Sequence, residues 1–387
     1  MKETLKPDFH LPTEIFIREN IIDSIGSVMS RYGTRAIIIT TSHDFEIYHA
    51  FIEQIAGNLK QADIGCIIYD ELPQVPTTED IDSAVSFVRK TNTDLLIGFG
   101  GIESVNAAKA ISVLSKNYIF CHDLLAGAPV VNPPLPVVTM PAFPLYGLGL
   151  APLLFIEEIH ELTKRAYSSE ILYPKAVVVD PALSLNISDE KYMKMCICAM
   201  GIAAESVISR ENNDIINTYS LKTIDLTFRN LPLVMREREN IIPRKFLSTA
   251  SVMSGIAFAT AYLSVTLGIS LSINSITGID IESAMCVILP HIMEFNLTSS
   301  PGKYVQMAKV MGENVRDITV IEAAIKGIEG IRKLETDIDI PQRLSNYNIS
   351  KTMFKQIAEL SMSYPFLANS FRELNAEEIE TILIAAF

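Results

Sequence analysis

Positive charge and histidine are both scarce in this chain. Of its 387 residues, 32 are Lys or Arg against 45 Asp or Glu, a formal net charge of −13, and only six are His. Non-specific nucleic-acid binding needs a basic footprint, so that class is excluded. The five cysteines, Cys66, Cys121, Cys196, Cys198 and Cys286, follow no framework spacing. An odd, scattered set fits reduced core thiols in a cytoplasmic protein rather than a disulfide scaffold. Cys196 and Cys198, in KMCICAM, have one residue between them and no histidine nearby, which is neither a zinc knuckle nor a redox CxxC. The opening MKETLKPDFHLPTEI lacks an apolar signal region, and the expectation is a cytoplasmic location. Charge is absent from 124–156, but seven prolines interrupt that stretch and exclude a continuous spanning helix. It is absent again from Phe246 to Ile279, where Ser, Thr, Asn274 and three glycines indicate a buried helix pair rather than a membrane segment.

What the chain does have is apolar sequence in a regular order. Hydrophobic residues make up 49%, enough for a large interior, and the length predicts two domains. RAIIITTS (35–42), DIGCIIYDEL (63–72), DLLIGFGG (94–101), PLPVVTMP (134–141) and PKAVVVDP (174–181) are short β-branched runs ending in turn residues. Amphipathic segments at 79–92 and 105–116 lie between them, which predicts βαβ units and a parallel sheet covered on both faces. Ligands in such sheets bind beyond the carboxyl ends of the strands. After Asp180-Pro181 the strand signals stop. Ser188 reads as an N-cap, with Asp189 and Glu190 in the first turn of a long helix. The expected organisation is therefore a Rossmann-like α/β domain over 1–183 and an all-helical domain over 184–387, with no internal repeat.

Six segments in order resemble the iron-containing (group III) alcohol dehydrogenase family. PTEIFIRENIIDSIG resembles its opening hairpin, and VVVDPALSLNIS its interdomain DPxLTxxLP segment. VILPHIMEFN (287–296) is similar to LLPHVxxFN and is followed by YVQMAKVMG. DIPQRLSNYNIS resembles GIPxxLxxxGV, and FLANSFRELNAEEIETILIAAF the closing ANPRPxTxxDIxxILxxAx. The resemblance implies the fold shared with dehydroquinate synthase-like proteins, an active site between the two domains, NAD(P), a divalent metal, and assembly into dimers or larger homo-oligomers.

The resemblance weakens at the functional motifs. Against the pyrophosphate loop GGGSxxDxAK, this chain keeps Gly100 and Gly101 but has Ile102 for the third glycine, Glu103 for the serine and Asn106 for the aspartate. Glycines serve there because backbone N–H groups must approach the diphosphate closely, aided by the positive end of a helix. Glu103 is expected to neutralise that helix end itself. PTTAGTGSE is replaced by PAFPLYGLGLAP, where Pro141 and Gly147 match and the threonines become Ala142 and Phe143. At the adenosine end Thr41 stands where NAD-preferring members often carry an aspartate. If a nucleotide binds, the residues expected to hold it are Thr41, Gly100, Gly101, Ile102, Glu103, Asn106 and Gly147.

The family's metal ligands are an Asp and a His four apart on the first long helix, the first His of HxxxH and the His of PHG. Aligned to this chain they fall on Gly201, Glu205, Leu267 and Ile281, and the proton-relay histidine of HxxxH falls on Leu271. A first-row dication needs three or more convergent N, O or S ligands, so no iron or zinc is expected; Glu205 with Asp280 or Glu282 is the one alternative carboxylate set. Of the histidines, His43 and His49 form only a distant pair, His10, His122 and His160 have no partner at ligand spacing, and His291, inside LPH, is expected to be a packing residue. The favoured expectation is a catalytically lapsed member that binds a small molecule in the interdomain cleft or serves in assembly, without nucleic-acid or membrane partners. The alternative is an active NAD(P)-dependent oxidoreductase on a small alcohol or aldehyde, either metal-free, with Tyr146 or Lys109 as electrophile, or with altered metal ligation.

Overall fold

The computed structural model describes residues 7–161, 163–347, 349–370 and 372–387. In chain order the first half contains β1 (Glu14–Ile17), α1 (Ile25–Met29), β2 (Arg35–Thr41), α2 (Ser42–Gln61), β3 (Gly65–Leu72), α3 (Thr78–Val88), β4 (Leu95–Gly100), α4 (Ile102–Leu114), α5 (Cys121–Leu125), β5 (Val137–Pro141), β6 (Leu153–Glu158), β7 (Thr163–Ser168) and β8 (Ala176–Val179). Six strands form one parallel sheet in the order β1-β8-β5-β4-β2-β3. The central strands are continuous apolar runs because both their faces are covered. On β2, Ile37 and Ile39 enter the core shared with α3 and α4, while Ala36 and Ile38 enter the core shared with α1 and α2. Thr77 and Asp80 close a reciprocal capping box at the start of α3. All five predicted strands are present.

The opening segment differs from the expected hairpin. Glu14–Ile17 pairs in parallel with β8 at the sheet edge, and Asn20, in the left-handed conformation, then turns the chain into helix. The antiparallel hairpin lies elsewhere, between β6 and β7, in sequence that carries no distinctive turn motif.

Among the described residues after β8 the chain is helical: α6 (Asp189–Ile208), α7 (Asp214–Arg236), α8 (Ile241–Ala261), α9 (Val265–Thr277), α10 (Ile281–Asn296), α11 (Pro301–Val310), α12 (Val320–Asp337), α13 (Phe354–Ser361) and α14 (Ala376–Ala385). Ser188 caps α6 by accepting the N–H of Lys191. α6 is buried along nearly its whole length and packs on α7, α8 and α10. The uncharged run forms α8 and α9, which meet at 101°, and among the described residues no single helix is long and apolar enough to cross a membrane.

One apolar core runs through both halves, joining the Phe143–Ala151 region to α6, α9 and α10. At the seam Gly147, at φ +84, lies directly on Gly255 of α8. A Cβ on Gly147 would fall 2.1 Å from the Gly255 nitrogen, and one on Gly255 2.3 Å from the Gly147 carbonyl. Only glycine on both sides permits that approach.

Candidate ligand-binding cleft

The carboxyl ends of β2 and β4 and the segment after β5 face α6, α9 and α10 across a cleft of about 510 Å³. Its N-terminal wall contains Thr41, Asp44, Gly101, Ile102, Glu103 and Phe143, and the β6–β7 hairpin adds Lys164. This is the place where the topology of an open α/β sheet leaves a ligand site.

The glycine turn at the start of α4 is already occupied by a side chain. Asp44, in the first turn of α2, accepts the Gly101 N–H at 2.8 Å and the Ser104 hydroxyl at 2.5 Å. The Ser104 oxygen in turn accepts the Thr41 N–H at 2.9 Å, and the Thr41 hydroxyl accepts the Asp44 N–H. The loop closes on itself through four residues. A Cβ on Gly100, at φ +127, would lie 2.3 Å from the Asp44 carboxylate, so the glycine now serves a protein carboxylate. Glu103 pairs with Lys164 at 2.8 Å, and the lysine side chain is only 4% exposed. The backbone N–H of Lys164 reaches Ser275 of α9, and its carbonyl accepts the Tyr364 hydroxyl at 2.6 Å.

Four of the seven expected nucleotide residues line the cleft: Thr41, Gly101, Ile102 and Glu103. Gly100 sits behind Asp44. Asn106 does not face the cleft; its amide donates to the Phe155 carbonyl at 3.1 Å. Gly147 is committed to the seam with Gly255. Lys109 is no electrophile either: buried inside α4, its ammonium donates to the carbonyls of Leu148, Ala151 and Leu153 at 2.7, 2.7 and 3.2 Å. Tyr146 is fully buried, and its hydroxyl donates to Glu282 at 3.4 Å.

The helical wall turns both expected α6 positions away from the cleft. Gly201 points at Leu289, 3.0 Å from where its Cβ would lie, so it faces the helical core. Glu205 is buried at the start of α9, accepting the Ser264 hydroxyl at 2.7 Å and the Thr266 N–H at 3.1 Å. Met195 lines the cleft, and the Cys198 thiol donates to the Glu282 carbonyl. Helical period places Ile202 on that same face. The i, i+4 pair turned towards Ile281 is thus Cys198 and Ile202 rather than Gly201 and Glu205. Asp280 caps α10 through the Ser283 N–H and hydroxyl, so Glu205, Asp280 and Glu282 do not form a common site. Leu267 and Leu271 share a helical face with Asn274, which lines the cleft.

Burial pushes the Glu205 carboxyl up to about 7, against hydrogen bonds from Ser264 and Thr266 that favour the ion. The native state therefore holds this proton more tightly than the unfolded chain. The associated stability is full below about 4.5 and is lost as pH rises through 7. Glu205→Gln is expected to flatten the melting-temperature profile between pH 5 and 8 while keeping an acceptor for Thr266; an unchanged slope would contradict this. His291 is mostly buried, and burial, reinforced by Arg332, lowers its imidazole to about 4. It is a neutral packing residue.

Two family models match the chain. That for iron-containing alcohol dehydrogenase covers residues 12–181, and that for the C-terminal region of the Fe-containing alcohol dehydrogenase family covers 195–387. The chain belongs to the iron-containing alcohol dehydrogenase family. Among its relatives, 1,3-propanediol dehydrogenase of Klebsiella pneumoniae is 23% identical over 381 residues, 98% of each chain. NAD-dependent methanol dehydrogenase of Bacillus methanolicus is 21% identical, covering 97% of this chain and 98% of its own. A crystal structure of a 1,3-propanediol oxidoreductase superposes with a TM-score of 0.93 at 24% identity, over 99% of this chain and 100% of the other. That likeness gives the fold: a Rossmann-like parallel-sheet domain followed by a helical domain.

The family implies iron and a nicotinamide nucleotide, and the residues present can be tested against both. Cys198, Ile202, Leu267 and Ile281 offer one thiol and three aliphatic side chains, and burial pushes the thiol well above its ordinary range. Among the described residues no three His, Cys, Asp or Glu side chains come together in a metal-binding group. This donor set does not fit a dication. The turn at Gly101 does not fit a diphosphate, because its first free N–H and the neighbouring hydroxyl are held by Asp44.

Sequence reasoning missed Asp44, Lys164, Lys191 and Met195. Asp44 had a local signal, an acid three residues into a helix after a strand, but that signal reads as an ordinary helix start. Lys164 had none, since its partner Glu103 is 61 positions away.

Proposed function

We propose that this member of the iron-containing alcohol dehydrogenase family binds a small molecule in its interdomain cleft and carries out no metal-dependent hydride transfer. The observation that supports this most directly is the Asp44 carboxylate on the Gly101 N–H and Ser104 hydroxyl. A diphosphate brought to that turn meets a fixed carboxylate with Glu103 close by. One such like-charge contact at about 4 Å costs on the order of 4 kcal/mol at an effective dielectric of about 20. The aliphatic side chains at the metal positions support the same reading, because a developing alkoxide would find neither cation nor hydrogen-bond donor there.

The second reading is an NAD(P)-dependent oxidoreductase acting on a small alcohol or aldehyde. It draws on the methanol and propanediol dehydrogenases that match this chain end to end, and on Thr41 and Gly101 at the cleft wall.

Titration with NADH and NADPH, followed by nicotinamide fluorescence, separates the two. No saturable signal is expected up to millimolar nucleotide, whereas micromolar binding would establish the second reading. Elemental analysis of protein purified without added metal is expected to give no stoichiometric iron, zinc or nickel.

A further inference from the structure

We propose that the cleft recognises a small organic cation, a primary or substituted ammonium, with the Glu282 carboxylate as its counter-ion; this rests on the ligand-binding reading above. Five carboxylates line the space, Asp44, Glu103, Glu157, Asp280 and Glu282, against the two ammonium groups of Lys164 and Lys191. Most of these charges are already committed. Asp44 holds the α4 turn, Glu103 is paired with Lys164, and Asp280 caps α10.

Glu282 is different. It is 8% exposed and lines the cleft. Its Oε1 takes one long hydrogen bond, 3.4 Å from the Tyr146 hydroxyl. Its own backbone N–H also favours the ion, and the charge of Lys191 acts on it from farther away. Lys191, on the exposed first turn of α6, lies 5.5 Å from the Phe143 ring centroid and makes no ion pair with Glu282 within 4 Å. A carboxylate this deeply buried without a paired cation is costly, and a counter-ion entering from solvent relieves that cost.

The neighbouring surface suits the rest of such a ligand. Ile102, Met195 and Ile281 offer apolar contact for a short alkyl chain, and Phe143 presents an aromatic ring. An anion is less welcome, since the buried ammonium of Lys164 is held by Glu103, the helix turn by Asp44, and Lys191 at the exposed rim stands against five carboxylates.

The test uses the full chain and three probes of equal length: n-butylammonium chloride, 1-butanol and sodium butyrate. Isothermal titration calorimetry at low salt is expected to show saturable binding of butylammonium and none of the other two. Glu282→Gln should weaken it by about tenfold or more, and Glu79→Gln, on the exposed face of α3, should leave it unchanged. Equal responses to butanol and butylammonium, or full affinity in a Glu282→Gln protein with a native circular dichroism spectrum, overturn the proposal. If Glu282→Gln does not fold, Met195→Lys supplies a tethered ammonium inside the cleft and is expected to abolish binding; persistence overturns the proposal. The nucleotide titration is scored separately. Saturable NADH binding overturns the reading on which this one rests, and silence towards both NADH and butylammonium overturns this one alone.

Discussion

Replacing Lys109 by Met is expected to lower the stability of the protein by about 3–5 kcal/mol. The side chain is fully buried in α4, and its ammonium is the donor to two backbone carbonyls of the segment between β5 and β6 and to that of Leu153 at the start of β6. Methionine fills much of the same volume but donates nothing. Three buried oxygens would lose their donor, each at a cost of about 1–3 kcal/mol, partly offset because the charge no longer has to be desolvated. Burial pushes the amine down to about 7 from its ordinary 10.5. The native protein thus binds fewer protons than the unfolded chain between those values, and its stability rises with pH across that window. Urea unfolding of wild type and Lys109→Met at pH 7 and pH 9.5 checks both statements. The variant should unfold at lower urea and lose the alkaline gain. Equal midpoints would show that the three contacts contribute no net stability.

The second large effect is expected at the seam between the domains. Gly147→Ala places a Cβ at φ +84, where L-residues are strained, and 2.1 Å from a backbone nitrogen of α8. No flexible side chain can move aside, so α8 and the Pro141–Ala151 segment must separate. A loss of about 4–5 kcal/mol follows, large for one methyl group. Gly255→Ala should behave alike, since its Cβ meets the Gly147 carbonyl. The double variant should cost less than the sum, because the first methyl already pushes the two backbones apart. Additive losses would mean that the two glycines act independently.

The parallel sheet could be read from the chain because β2, β4, β5 and β8 are short, mostly apolar runs buried almost throughout. Ser188 was equally plain, since a cap acts within three residues of itself. The opening EIFI was harder. Four apolar-rich residues suit a hairpin arm or a parallel edge strand, and the choice belongs to β8, more than 150 residues later. The β6–β7 hairpin was hidden for a different reason, its first strand being the end of a long uncharged stretch.

The face of α6 that meets the cleft could not be read from the sequence. Small and apolar residues fill that helix on every side, so periodicity alone does not say which stripe meets the cleft. Ser264 and Thr266 decide it by drawing Glu205 to the start of α9. Asp44 shows the same limit. Its role depends on Gly101 and Ser104, about 60 residues away, and no pattern within its own helix encodes that meeting.

The anchoring of the β6–β7 hairpin bears on how anything reaches the cleft. Lys164 ties that hairpin to α4 through Glu103 and to α9 and Tyr364 through its backbone. A flap fastened at three points does not swing. Entry and exit then need no movement of that hairpin, and exchange should follow one exponential phase whose rate grows linearly with ligand concentration, with no plateau from a slow gating step.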